Sequence, residues 1–169
     1  VNDPRTFAAE THAGQTYGAE PYTVHLEAVV EIVREADASP LAYAEAVAWL
    51  HDVLEDTAVT PAELATEFGA LVAIAVQLVT DPKGLPNRRT RKAELHRRLA
   101  NLHPHVSVPA RLALLVKAAD RLANVRACIA AGDGRLSMYR REHAVFRAAA
   151  HRPGLCDGIW DELDRLLGG

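Results

Sequence analysis

The stretch that most constrains this chain is Trp49-Leu50-His51-Asp52-Val53-Leu54-Glu55-Asp56-Thr57, where one histidine and three acids fall within six positions directly after the apolar run Ala46-Val47-Ala48-Trp49-Leu50. Such a run buries the helix that carries it, and a buried carboxylate without a partner is costly. On a helix of 3.6 residues per turn, His51 lies above Glu55 and Asp52 above Asp56; His51 and Asp52, about 100° apart, still reach one point. An imidazole beside a carboxylate suits a divalent metal, and two more acids one turn on can act on water or substrate without being ligands. A solvated helix end is the alternative for a His-Asp pair taken alone. The apolar residues before it argue against that and send the search for further ligands along the chain.

At 169 residues the chain has the length of one domain with a real core. Hydrophobic residues at 49% and charged residues at 24%, rich in Ala, Leu, Glu and Arg, point to helices. No stretch reaches the roughly 18 apolar residues that span a bilayer, and the N-terminus is neither basic nor apolar enough for a secretory signal, so the expected location is cytoplasmic. Cys128 and Cys156 have neither metal-finger spacing nor disulfide density and read as helix-packing residues.

Helical patterns are expected over about 5–13, 22–37, 39–57, 61–68, 70–80, 88–100, 108–130, 136–150 and 156–167. Residues 14–21 read as a loop between Gly14 and Pro21, and Ser39-Pro40 as the cap and first turn of the next helix. Thr60-Pro61-Ala62-Glu63 predicts a capping box, and Gly132 and Gly134 a helix stop. The apolar run 70–80 is too short for a membrane and suits a buried helix. With no confident strand and no repeat, the expectation is an all-α, single-domain helical bundle over 1–169, its core about 5–150 and its closing helix about 156–167. Exposure of Trp160 or Leu166-Leu167 on that helix would favour a homo-oligomer.

Two further positions join the acidic stretch. His25 opens the second helical stripe, where a capping or core histidine is the plain alternative. Asp120 sits inside the most hydrophobic helix, in Leu114-Leu115-Val116-Lys117-Ala118-Ala119-Asp120-Arg121-Leu122-Ala123-Asn124-Val125-Arg126, with Asn124 one turn on. Arg121 is a poor partner for it, because adjacent helical residues point apart. His25, His51, Asp52 and Asp120 together make two imidazoles and two carboxylates for one divalent cation, with positions open to water and a substrate oxygen.

Net charge is −3, which argues against general nucleic-acid binding, yet Arg88, Arg89, Arg91, Lys92, Arg97 and Arg98 fall within eleven residues, and three lysines accompany sixteen arginines. Arginine suits bidentate phosphate recognition; solubility or codon bias explains the preference equally well.

These residues resemble the metal-dependent phosphohydrolases of the HD-domain superfamily, and more specifically the alarmone hydrolase domain of the RelA/SpoT group and its small stand-alone relatives. The matching pieces are Gly14-Gln15, Glu20-Pro21-Tyr22 with His25, His51-Asp52-Val53-Leu54-Glu55-Asp56-Thr57, Asp81-Pro82, Asn87-Arg88-Arg89 and Lys117 to Arg126. The resemblance implies an all-α fold, a bound manganese ion, and hydrolysis of the 3′-pyrophosphate of guanosine tetra- or pentaphosphate to give GDP or GTP and pyrophosphate. Carried across, His25, His51, Asp52 and Asp120 hold the metal, Glu55 and Asp56 assist the attacking water, and Asn124 contacts the nucleotide. Lys117, Arg121 and Arg88 are phosphate partners or members of salt bridges.

Two departures bear on substrate. Where the family loop after Gly-Gln commonly carries a basic residue, this chain has Thr16-Tyr17-Gly18; Tyr17 can stack on a base but supplies no charge. Leu26 stands where the family commonly has proline after the metal histidine, which alters the helix entry rather than a ligand. Three readings compete with alarmone hydrolysis: a phosphomonoesterase of the same superfamily acting on another nucleotide or small phosphorylated metabolite, a catalytically retired nucleotide sensor, and a nucleic-acid binder using Arg88 to Arg98.

Overall fold

The computed structural model describes residues 2–36 and 41–168, the side chain of Leu41 excepted. Among them, ten helices and one minimal hairpin follow in order: α1 (Pro4–Thr11), β1 (Thr16–Tyr17), β2 (Glu20–Pro21), α2 (Thr23–Glu35), α3 (Leu41–Leu50), α4 (Val53–Asp56), α5 (Pro61–Phe68), α6 (Ala70–Val79), α7 (Arg88–Ala100), α8 (Val108–Ala131), α9 (Leu136–Ala150) and α10 (Asp157–Leu167). The cap expected at Ser39-Pro40 lies outside the described residues.

Local chemistry sets the boundaries. The Asp3 carboxylate accepts from the Thr6 N–H to start α1, and Asn87 does the same for Thr90 at the start of α7. Thr60 and Glu63 form the expected capping box. Helix α8 begins with Ser107 capping Ala110 and a proline in its first turn. It ends at Gly132, whose left-handed φ of 62° lets the Asp133 N–H reach back to the Cys128 carbonyl at 2.9 Å.

The 24-residue α8 is the axis. Helices α2, α3, α6, α9 and α10 all pack on it, burying Leu112, Leu114, Leu115, Val116, Leu122 and Val125 against Leu26, Val29, Val33, Leu50 and Val76. A helix that is apolar nearly all round belongs inside, and the few polar residues on it are then conspicuous. No helix among the described residues is long and apolar enough to cross a membrane.

Four expectations need correction. The segment 14–21 contains a two-residue antiparallel pairing, Thr16 with Pro21 and Tyr17 with Glu20, turned at Gly18 with φ of 63°. The helix expected to run from 39 to 57 breaks at His51-Asp52. There the His51 imidazole bonds to the Ala48 carbonyl in the last turn of α3, and the Asp52 carbonyl accepts from both Glu55 and Asp56 to start a new single turn. Trp160 and Leu167 are not exposed: they close the core from α10, with Trp160 tilted against Phe146 at 5.5 Å, so they offer no surface to a second copy. Cys156 lies outside a helix, at φ 50° just before α10, and burial pushes its thiol up to about 12.

Candidate metal centre

The break between α3 and α4 brings His51 and Asp52 to one point, and α2 and α8 supply the rest. His51 Nε2 lies 3.0 Å from Asp52 Oδ2 and 3.8 Å from Asp120 Oδ1; His25 Nε2 lies 3.3 Å from Asp120 Oδ1 and 3.8 Å from Asp52 Oδ2. Each imidazole nitrogen thus faces both carboxylates. Donors bonded at about 2.1 Å to one ion stand roughly 3.0 to 3.4 Å apart at octahedral or tetrahedral angles, close to these separations. The donor atoms of His25, His51 and Asp52 all lie within 4.8 Å of one another, a group able to hold a metal ion.

One atom makes the need for a cation concrete. His51 Nδ1 is 2.7 Å from the Ala48 carbonyl, which only accepts, so Nδ1 carries a proton. That directs Nε2 at the carboxylates; it lies 3.0 Å from Asp52 Oδ2 but, among the described residues, finds no partner aligned for a hydrogen bond. Burial disfavours the imidazolium, but Asp52 and Asp120 outweigh it and push His51 up to about 9.

The carboxylates are oriented from outside. Burial would raise both, but His51 lowers Asp52 below its ordinary value, and Lys117 together with the two imidazoles lowers Asp120 well below its own. Asp52 Oδ2 accepts from the Tyr22 hydroxyl at 2.6 Å. Asp120 Oδ2 pairs with the buried Lys117 ammonium at 3.2 Å, while Oδ1 accepts from Asn124 Nδ2 at 2.6 Å. The Asn124 carbonyl in turn accepts from the Tyr17 hydroxyl at 2.8 Å, and the Tyr17 ring stacks on His25 with centroids 4.8 Å apart. Tyr17 and Asn124 therefore link the hairpin to α8 across the face of His25.

Glu55 and Asp56 flank this group on α4. Glu55 accepts from the Asp81 backbone N–H at 3.2 Å, and Asp81 is buried against Lys92. Burial, reinforced by Asp81 for Glu55 and by Asp52 for Asp56, raises both above ordinary carboxylate values. That shift makes each a better proton acceptor near neutral pH.

Beyond Asp120 and Asn124 a cavity of about 110 Å³ opens, lined by Arg88, Lys92, His96, Lys117, Arg121 and Tyr139 among others. Arg88 and Arg121 both pair with Glu142, and the Arg121 guanidinium lies over the Phe146 and Tyr139 rings at 4.4 and 4.8 Å. Four of the six cations from 88 to 98 are engaged within the chain: Arg88 with Glu142, Lys92 with Asp81, Arg97 with Glu94, and Arg98 with the Gln77 and Thr80 carbonyls. The basic run is largely internal bracing.

Tyr22, Tyr139 and Glu142 also line or brace the site, and the sequence gives none of them a role of its own. Tyr22 was within reach as part of the motif around His25; Glu142 pairs across 54 residues with Arg88 and left no local signal.

The HD domain family matches residues 5–156. This chain belongs to it. Among its relatives, guanosine-3′,5′-bis(diphosphate) 3′-pyrophosphohydrolase MESH1 of Danio rerio is 42% identical over 124 residues, 71% of this HD domain chain and 64% of that protein. Guanosine-3′,5′-bis(diphosphate) 3′-pyrophosphohydrolase of Vibrio cholerae is 34% identical over 165 residues, 94% of this chain and 22% of that protein. A solved structure of a metazoan ortholog of SpoT that hydrolyzes ppGpp superimposes with a TM-score of 0.71 at 25% identity, covering 98% of this chain and 93% of its own. The chain spans less than two thirds of the length of either curated relative.

Proposed function

We propose that this HD domain is a metal-dependent phosphohydrolase acting on guanosine 3′,5′-bis(diphosphate) and its pentaphosphate analogue, releasing pyrophosphate from the 3′ position. The observation that carries the reading is the four-cornered group of His25, His51, Asp52 and Asp120, in which each imidazole Nε2 faces both carboxylates at 3.0 to 3.8 Å. The relatives' printed activities supply the substrate.

His25, His51, Asp52 and Asp120 are the residues that would hold a divalent ion. A divalent cation bound there supplies Lewis acidity, lowering the pKa of water and offsetting phosphate charge. Manganese is our assignment, on the resemblance; mixed nitrogen and oxygen donors accept iron, zinc, cobalt or nickel as well.

Glu55 and Asp56, raised by burial, take the proton of the attacking water. The water oxygen bonds to the phosphorus attached at the ribose 3′-oxygen, that P–O bond breaks, and a proton goes to the 3′-oxygen. Lys117 fixes Asp120. The cavity holding Arg88, Arg121 and Asn124 takes the charged end of the nucleotide, its guanidiniums prealigned by Glu142. Tyr17 lies against His25 and Asn124 and offers the nucleotide an aromatic edge in place of a cation. The whole chain acts as one domain.

Purified protein with manganese and guanosine tetraphosphate should release pyrophosphate and GDP. Orthophosphate from other phosphate esters, with guanosine tetraphosphate untouched, would assign the phosphomonoesterase reading. Binding without turnover of any ester would assign the sensor.

A further inference from the structure

We infer that Tyr22 is a positioning residue for the metal centre: with its ring stacked on the buried His12 and its backbone N–H bonded to Gln15, its hydroxyl sets the orientation of Asp52 and its spacing from Asp56 before any cation binds. The inference rests on the proposed function above, whose chemistry gives neither Tyr22 nor the Gly14-Gln15 motif a part.

The Tyr22 hydroxyl donates to Asp52 Oδ2 at 2.6 Å, the length of a strong bond to an ionised acceptor. Oδ2 is also the oxygen that faces both imidazoles. A carboxylate oxygen carries two lone pairs, so the phenol proton occupies one and leaves the other for the space between His25 and His51. Asp56 Oδ2 lies 3.4 Å from the same hydroxyl. A phenol has one proton, which the shorter contact takes, and its oxygen therefore stands as a spacer between two like charges.

Tyr22 itself is held on every side. Its ring stacks on the buried His12 at 4.7 Å and meets Tyr17 and His25 edge-on, and its N–H donates to the Gln15 carbonyl at 3.1 Å. Gln15 Nε2 donates to the Asp56 carbonyl at 2.9 Å. Since that carbonyl only accepts, the amide oxygen of Gln15 faces His12, and the 2.9 Å contact puts the His12 proton on Nδ1. Gly14, at φ 81°, provides the turn that folds Gln15 back to this position. One brace thus joins the end of α1, the hairpin and α4 behind the two acids.

Removing an outer partner of a metal ligand commonly weakens metal binding by about 10- to 100-fold. Tyr22→Phe removes the hydroxyl and keeps the stack. Metal-stripped wild type, Tyr22→Phe and His51→Ala are titrated with manganese against a chelator, melted without metal, and assayed for kcat and KM on guanosine tetraphosphate at saturating manganese. The expected result for Tyr22→Phe is a manganese Kd raised by about tenfold or more, a lower kcat with KM unchanged, and a metal-free Tm lowered only by as much as the loss of one hydrogen bond to a charged group requires. Wild-type Kd and kcat in Tyr22→Phe while His51→Ala loses the ion overturns the inference, as does a lowered Tm with unchanged Kd. Manganese retained by His51→Ala would sink the metal-site reading itself. If Tyr22→Phe fails to fold, Gln15→Ala takes its place, with the same rise in Kd expected and an unchanged Kd overturning it.

Discussion

Loading the centre with metal should expel a proton from His51, and the structure sets the size of that effect. Burial disfavours the imidazolium, yet Asp52 and Asp120 raise His51 from 6.5 to about 9 in the metal-free protein. At pH 7 the ion must displace a proton held about two units too tightly, which lowers apparent affinity roughly 100-fold, or about 3 kcal/mol. Apparent manganese affinity should therefore climb about tenfold per pH unit between pH 6.5 and 8.5 and level off near 9. Stability follows the same proton. A group raised in the folded state contributes fully below its unfolded value and loses that contribution as pH rises through its folded value, so the metal-free protein should weaken between about pH 6.5 and 9 by at most about 3 kcal/mol. The loaded protein should lack this decline. Chelator competition across that pH range, with calorimetry in buffers of different ionisation enthalpy, should report about one proton released per ion. An affinity that stays flat from pH 6.5 to 8.5 would refute the reasoning.

Asp120→Ala should abolish metal binding and turnover together, whereas Glu55→Ala should retain the ion and lose about 100-fold or more in kcat; metal analysis beside kinetics separates the two, and full manganese in Asp120→Ala removes that residue from the ligand set. Lys117→Met leaves the buried Asp120 carboxylate without its ammonium partner, so the metal-free protein should lose about 3 kcal/mol, with manganese restoring part of it; equal melting of the stripped variant and wild type would contradict this. Tyr17→Phe removes the 2.8 Å bond to Asn124 but keeps the stack on His25. It should cost about 1 kcal/mol in stability, leave manganese affinity within a factor of two or so, and change KM; unchanged KM would discard Tyr17 as a substrate contact.

What the sequence made legible follows from where charge met apolar context. Asp120 stands out because its helix neighbours are Leu, Val and Ala, and the ends of α8 are written in Ser107, Pro109 and Gly132. His51 and Asp52 were visible as residues, but the break that aims them was not: the apolar pattern runs on through Val53 and Leu54, and the interruption shows only in the bond from His51 to the Ala48 carbonyl and in the new turn that starts at Asp52. The hairpin escaped because strands of two residues are too short to show alternation. Burial of Trp160 could have been read from Ile159, Trp160, Leu163 and Leu167 lying on one side of α10. Partners that meet across long stretches of chain, such as Tyr17 with Asn124 and Arg88 with Glu142, leave no mark on local pattern.

The most direct measurement is the anomalous signal from crystals of this protein grown with manganese. Our account predicts one strong peak within about 2.3 Å of His25 Nε2, His51 Nε2 and a carboxylate oxygen each of Asp52 and Asp120. A peak bound elsewhere, or one that leaves Asp120 paired only with Lys117 and Asn124, would contradict it.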